Sequence, residues 1–143
     1  MISKAFCFVL FFIAFEAYSQ TQALIQVSEL RSNEGHIIVA IFDNEKSFVD
    51  EDPKMHKTFK KTKVKNGRLN LRFDLPAGSY GITIVDDENK NGEMDYNFVG
   101  MPKEGFGFSD YYHTGLTKPT LNDFKVQIKK GKTNKINCKV RYI

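Results

Sequence analysis

Apolar residues recur at every second position through most of this chain, and that period decides the fold class. Leu69, Leu71 and Phe73 alternate with Arg68, Asn70, Arg72 and Asp74, and Phe124, Val126 and Ile128 alternate with Lys125, Gln127 and Lys129. Ile136, Cys138, Val140 and Tyr142 alternate with Asn137, Lys139 and Arg141. A period of two puts successive side chains on opposite faces of an extended backbone, so each segment reads as a strand with one buried face. Ile37 to Phe42 is apolar on both phases, as a central strand would be, and Leu24 to Leu30 and Ser79 to Val85 complete the set. Asn66-Gly67 and Lys130-Gly131-Lys132 are compact connections expected to close antiparallel hairpins. About seven short strands without a long amphipathic helix predict an all-β fold, an antiparallel β-sandwich.

The first segment stands outside that pattern. Met1 to Lys4 is a short basic stretch, Ala5 to Phe15 is apolar, and Ala17-Tyr18-Ser19 is a small-x-small cleavage site before Gln20. This is the layout of a secretory signal peptide over residues 1–19, and the apolar run is well short of the roughly 20 residues a membrane span needs. Residues 20–143 are then expected to form a single exported domain, secreted or periplasmic, with no transmembrane segment. Of 143 residues, 41% are apolar and 27% charged, enough for a self-sufficient core. The net charge of +4 is too small to argue for nucleic acid. Cys138, the one cysteine beyond the leader, falls on the apolar phase of a strand, as a buried, inert thiol would.

Two connections are long. Asp43 to His56 has room for a helical turn as the chain crosses between sheets. The other runs from Asp87 to about Leu121, and a loop of that length in a compact domain is functional or internally tied down. Its opening concentrates negative charge in a basic protein: Asp86, Asp87, Glu88, Glu93 and Asp95 face a single cation, Lys90. Asp87, Asn89, Asn91 and Asp95 occupy relative positions 1, 3, 5 and 9, with Gly92 at 6 and the Glu93 carbonyl at 7. That spacing wraps hard oxygen ligands around one point, with Asp86 or Glu104 as further candidates for the sphere, and it suits calcium better than the small octahedron of magnesium. Position 12 is Phe98 rather than Glu and no helices flank the loop, so this is not an EF-hand. Two core carboxylates predict weak affinity, on the order of 10⁻⁴ to 10⁻³ M. The competing reading is a plain Asn-Gly turn with Asx hydrogen bonds.

Leu75-Pro76-Ala77-Gly78-Ser79-Tyr80, the Asp87-to-Gly92 run with Asp95, and Gly100-Met101-Pro102-Lys103-Glu104-Gly105-Phe106-Gly107-Phe108-Ser109 together resemble the exported bacterial proteins grouped as domain of unknown function 2141. The resemblance implies a small secreted β-sandwich of the immunoglobulin-like or transthyretin-like kind and brings no activity with it. Such proteins often carry His before the Asp-Glu-Asn run, where this chain has Asp86. From its own residues, Leu75 to Tyr80 reads as a Pro-Gly turn with Tyr80 as a corner residue.

Phe106, Phe108, Tyr111 and Tyr112 lie within eight residues, between Gly105 and His113. Such a cluster either closes the end of a sandwich as a lid or presents an anchor for a protein or glycan partner. Lysines cluster from Lys54 to Lys65, Lys61 among them, and from Lys125 to Lys139. They suit edge-strand protection, or attraction to anionic envelope polymers. His36, His56 and His113 have no metal-ligand spacing, and no nucleophile elbow or phosphate-cradling loop is present. The expectation is a non-catalytic module, calcium-stabilised, presenting its loop to a partner. The alternatives are a purely structural cell-envelope module without metal and a carboxylate-based glycoside hydrolase.

Overall fold

The structure is a computed structural model that describes residues 20–143; the signal peptide assigned to residues 1–19 lies outside the described residues. In chain order the elements are β1 (Gln22–Ser28), β2 (His36–Phe42), α1 (Glu45–Val49), β3 (Met55–Lys60) and β4 (Leu69–Asp74). They continue with β5 (Gly78–Asp87), β6 (Gly105–Phe108), α2 (Leu121–Phe124), β7 (Lys125–Ile128) and β8 (Thr133–Lys139). The eight strands form two sheets: a three-stranded one ordered β4-β1-β8, and a five-stranded one ordered β3-β2-β5-β6 with β7 also on β5. The β-sandwich is therefore present, with one strand more than the alternation revealed.

Alternation sets the core. Ala23, Ile25 and Val27 of β1, Leu69, Leu71 and Phe73 of β4, and Ile136 and Cys138 of β8 turn inward. They meet Ile37, Val39 and Ile41 of β2 and Tyr80, Ile82 and Ile84 of β5. Cys138 is buried as a free thiol, and burial pushes its pKa far above the usual thiol range, so it is inert.

The topology departs from the simple hairpin reading in four places. β1 and β8 pair in parallel, Gln22 beside Thr133 through Ser28 beside Lys139, so the sandwich is not wholly antiparallel. Asn66 and Gly67 do form a tight turn, with positive φ at both residues and reciprocal Lys65–Arg68 bonds of 3.0 Å. Yet β3 and β4 belong to different sheets, so the turn sits inside a crossover. The Gly131 connection likewise joins β7 to β8 across the sandwich. Conversely, Asp43 to His56 does not cross: β2 and β3 are antiparallel neighbours, and α1 caps their link through the Asn44 side chain, which accepts from Ser47 N at 2.9 Å. Turn chemistry fixes the local reversal of the chain; which sheet receives the next strand depends on burial far along the sequence.

β5 organises the functional end. One edge of this ten-residue strand pairs with β2 along most of its length, while the other edge takes β7 on Gly78–Gly81 and β6 on Thr83–Asp86. The long 87–121 segment is thus not one loop: β6 returns it to the sheet midway. On the outer face of this sheet Phe42, Phe48, Phe108, Leu121 and Phe124 make a second small core. Its rings meet edge-on or tilted, Phe48 to Phe124 at 5.0 Å and Phe108 to Phe124 at 4.8 Å. Gly81 permits it, since a Cβ there would collide with Leu121 and Phe124.

Candidate functional site

Asp86 and Asp87 end β5, and the pleat separates them. Asp86 points between the sheets, where Lys61 Nζ donates to Oδ1 and Tyr142 OH to Oδ2, each at 2.6 Å. It is fully buried there and is not brought to the acidic loop. Lys61, at 1% exposure, is buried with it and does not belong to the solvated lysine cluster expected from the sequence.

Asp87 turns the other way and anchors the loop. Its Oδ1 accepts from Asn91 N at 3.2 Å and its Oδ2 from Gly92 N at 2.9 Å, with Gly92 at φ +83 supplying the bend. The Asn91 amide donates to both Asp95 oxygens, at 2.8 and 2.9 Å, and the Asn89 amide donates to Asp95 Oδ2 at 2.6 Å. Asn89 Oδ1 accepts from Asn91 N and Asn91 Oδ1 from Glu93 N, at 3.1 and 3.2 Å, as Asx turns. Asp87, Asn89, Asn91, Glu93 and Asp95 are thus gathered into one loop, with the Glu93 side chain exposed.

Glu104, just before β6, completes the cluster. Its Oε2 accepts from Asp95 N at 3.3 Å, whereas Oε1 is buried with no hydrogen-bond partner among the described residues. At 6% exposure the side chain has little access to water. Burial pushes the Glu104 carboxyl above its ordinary range against the opposing bond from Asp95 N; the charges of Asp87 and Asp95 push it the same way, as does a hydrogen bond that a protonated Glu104 shares with the Asp87 carboxylate. Among the described residues no group of three or more His, Cys, Asp and Glu side chains is placed to hold a metal ion. The side chains hydrogen-bonded to one another here are amides as well as carboxylates.

Between the acidic loop and the connection from β6 to α2, residues 109–120, lies an apolar cleft of about 340 Å³ on the outer face of the five-stranded sheet. Ala40, Thr83, Phe106 and Phe108 belong to its floor on the strands. Met94, Tyr96, Gly100 and Pro102 come from the acidic loop, and His113, Leu116 and Pro119 from the opposite one. A two-ended turn stiffens the first wall: Asn97 accepts at its side chain from Val99 N and Met101 N, at 3.0 and 2.9 Å, and leaves Phe98 fully exposed at the tip. The four aromatic candidates divide. Phe106 and Phe108 are sheet residues, half-buried and buried; Tyr111 packs on the outer core; Tyr112, 44% exposed, is open to solvent. Tyr96 and Leu116 have no signature in the sequence, because isolated apolar residues among polar ones carry no period to mark them, and Phe98 entered only as position 12 of the loop.

A family model described as "uncharacterized protein conserved in bacteria" matches residues 25–137, from β1 into β8. The chain matches no curated protein and no solved structure. With the match spanning most of the described sandwich, including Asp87, the acidic loop and Glu104, the chain belongs to the bacterial domain of unknown function 2141 family.

Proposed function

We propose that this is an exported, non-catalytic β-sandwich module in which a calcium ion held by the 87–104 loop fixes one wall of the apolar cleft, presenting it to a protein or glycan partner. The observation that carries the reading is Glu104 Oε1. An unpaired, buried carboxylate oxygen beside Asp87 and Asp95 is costly, on the order of 1–3 kcal/mol or more for a charged group, and a hard cation relieves it directly. Asp87, Asp95 and Glu104 supply the charge; Asn89, Asn91 and the Glu93 carbonyl supply the remaining oxygens. Once bound, the ion would cancel repulsion and stiffen the backbone that carries Met94, Tyr96 and Pro102 into the cleft wall. The basic and apolar run before Gln20 supports export.

Two observations favour a metal-free structural module instead: Asp95 already receives three amide N–H bonds, and a proton shared between Glu104 and Asp87 relieves the same buried carboxyl without an ion. For the hydrolase reading, glycoside cleavage needs two carboxylates facing across an open cleft, and Glu51 is the one carboxylate among the described residues lining this one. Thermal melts in calcium and in chelator separate the readings. The module predicts a gain of several degrees in calcium for the wild type and coincident melts for Glu104→Gln; coincident wild-type melts would leave the metal-free module.

A further inference from the structure

We propose that Lys61 and Asp86 condense after folding into an intramolecular amide, a covalent cross-link between the β3–β4 crossover and strand β5. Lysine is seldom buried completely, yet both side chains of this pair are 0% exposed with Nζ 2.6 Å from Oδ1. The hydrogen-bond count does not suit an ammonium. Nζ carries three protons and finds two acceptors among the described residues, Asp86 Oδ1 and, at a marginal 3.4 Å, Ser32 Oγ. A secondary amide nitrogen has one proton to place.

The carboxyl group is held as an acyl acceptor would be. Tyr142 OH donates to Oδ2 at 2.6 Å, and that hydroxyl is itself fixed by Arg31 N, which donates to it at 3.2 Å. The reaction needs no reagent beyond the pair. One proton passes from Nζ to Oδ1, and the freed nitrogen lone pair attacks Cγ. As the Nζ–Cγ bond forms, the carbonyl electron pair moves onto Oδ2, where the Tyr142 hydroxyl stabilises it. A second proton leaves Nζ for Oδ1, directly or through Ser32 Oγ, the Cγ–Oδ1 bond breaks and water departs as the carbonyl re-forms. Three ammonium protons become one amide proton and two on water, with no change of oxidation state. Permanent juxtaposition in a rigid, water-poor site replaces the encounter that the same condensation needs in solution. Oδ2 keeps its Tyr142 bond throughout, so the product fits the frame that formed it.

Intact-mass spectrometry of the denatured wild-type protein tests this, with tryptic mapping. The cross-linked chain is lighter by about 18 Da, one water, than the chain of the same termini, because proximity has driven the condensation. Trypsin then fails to cut after Lys61, and a branched peptide joins the segments holding Lys61 and Asp86. Lys61→Met restores the full mass expected for that substitution. After refolding, Tyr142→Phe accumulates the branched peptide more slowly. A wild-type protein of full mass, cut normally after Lys61, overturns the proposal, whether or not either variant folds. A wild-type rate in Tyr142→Phe overturns the role given to Tyr142.

Discussion

Asp86 and Asp87 are consecutive in the chain, yet one carboxylate is buried between the sheets against Lys61 and the other is turned outward to hold the backbone of Asn91 and Gly92. The pleat of β5 alone assigns them to different tasks. The first belongs to the sandwich interior, the second to the loop that walls the cleft.

Within the loop, the ligand assignments distinguish side chain from backbone. Asp95→Ala is expected to abolish the calcium response of the melting temperature, whereas Glu93→Ala, whose carbonyl is retained, keeps it. At 10 mM calcium, dissociation constants of about 10⁻⁴ to 10⁻³ M correspond to roughly 1.4–2.7 kcal/mol of stabilisation. Chemical denaturation with and without the ion measures that difference.

Glu104 gives the calcium-free protein a pH dependence of definite sign. Its folded-state pKa lies above the unfolded value, so its contribution favours the fold below the unfolded pKa and is lost as pH rises through the folded one. Comparison with Glu104→Gln isolates it from Glu88. That carboxyl is pushed up by burial but held below its ordinary range overall by the hydrogen bonds from Arg31 and Ser32. The variant is expected to gain stability relative to the wild type as pH rises from about 4 to 7 in chelator, a trend that calcium removes. Urea midpoints across that range provide the check.

Gly81 is where α2 rests on the sheet. Gly81→Ala puts a methyl group into Leu121 and Phe124 and is expected to cost about 1–3 kcal/mol, since a packed aromatic cluster accommodates extra volume poorly. A lowered urea midpoint with unchanged slope would show it.

The aromatic residues predict a split between stability and binding. Phe108→Ala, in the outer core, is expected to cost about 3–5 kcal/mol. Tyr112→Ala and Phe98→Ser, at exposed positions, are expected to stay within about 0.5 kcal/mol of the wild type. Reduced capture of a glycan-array or pull-down partner by those two variants, with unchanged melting, would identify them as contact residues.

Much of the frame was legible because burial on a pleated sheet writes itself as alternation: β4 shows it residue by residue from Leu69 to Asp74 and β8 from Ile136 to Lys139, the buried polar Asn134 interrupting it before that. What alternation omits is partnership. Nothing local to Asn66-Gly67 says that the following strand joins β1, and nothing local to Thr133 says that it runs parallel to Gln22. β6 escaped as a strand since Phe106 and Phe108 alternate only with Gly105 and Gly107, a four-residue run that reads equally as a glycine-rich bend. In the loop, the oxygen spacing from Asp87 to Asp95 marked the cluster, and Glu104 was a candidate by charge alone. Its buried, unpartnered oxygen is a property of packing. Lys61 read as one more solvated lysine, because a single buried cation inside a basic run has no sequence signature.

A calcium titration of the calcium-free protein followed by amide NMR tests residue by residue whether the loop holds a calcium ion. An ion held there is expected to give shifts that begin at Asp87, end near Glu104, saturate together with one constant between about 10⁻⁴ and 10⁻³ M, and vanish in Glu104→Gln. Shifts that never saturate, or that scatter over the surface while Asp87 to Glu104 stay still, would contradict it.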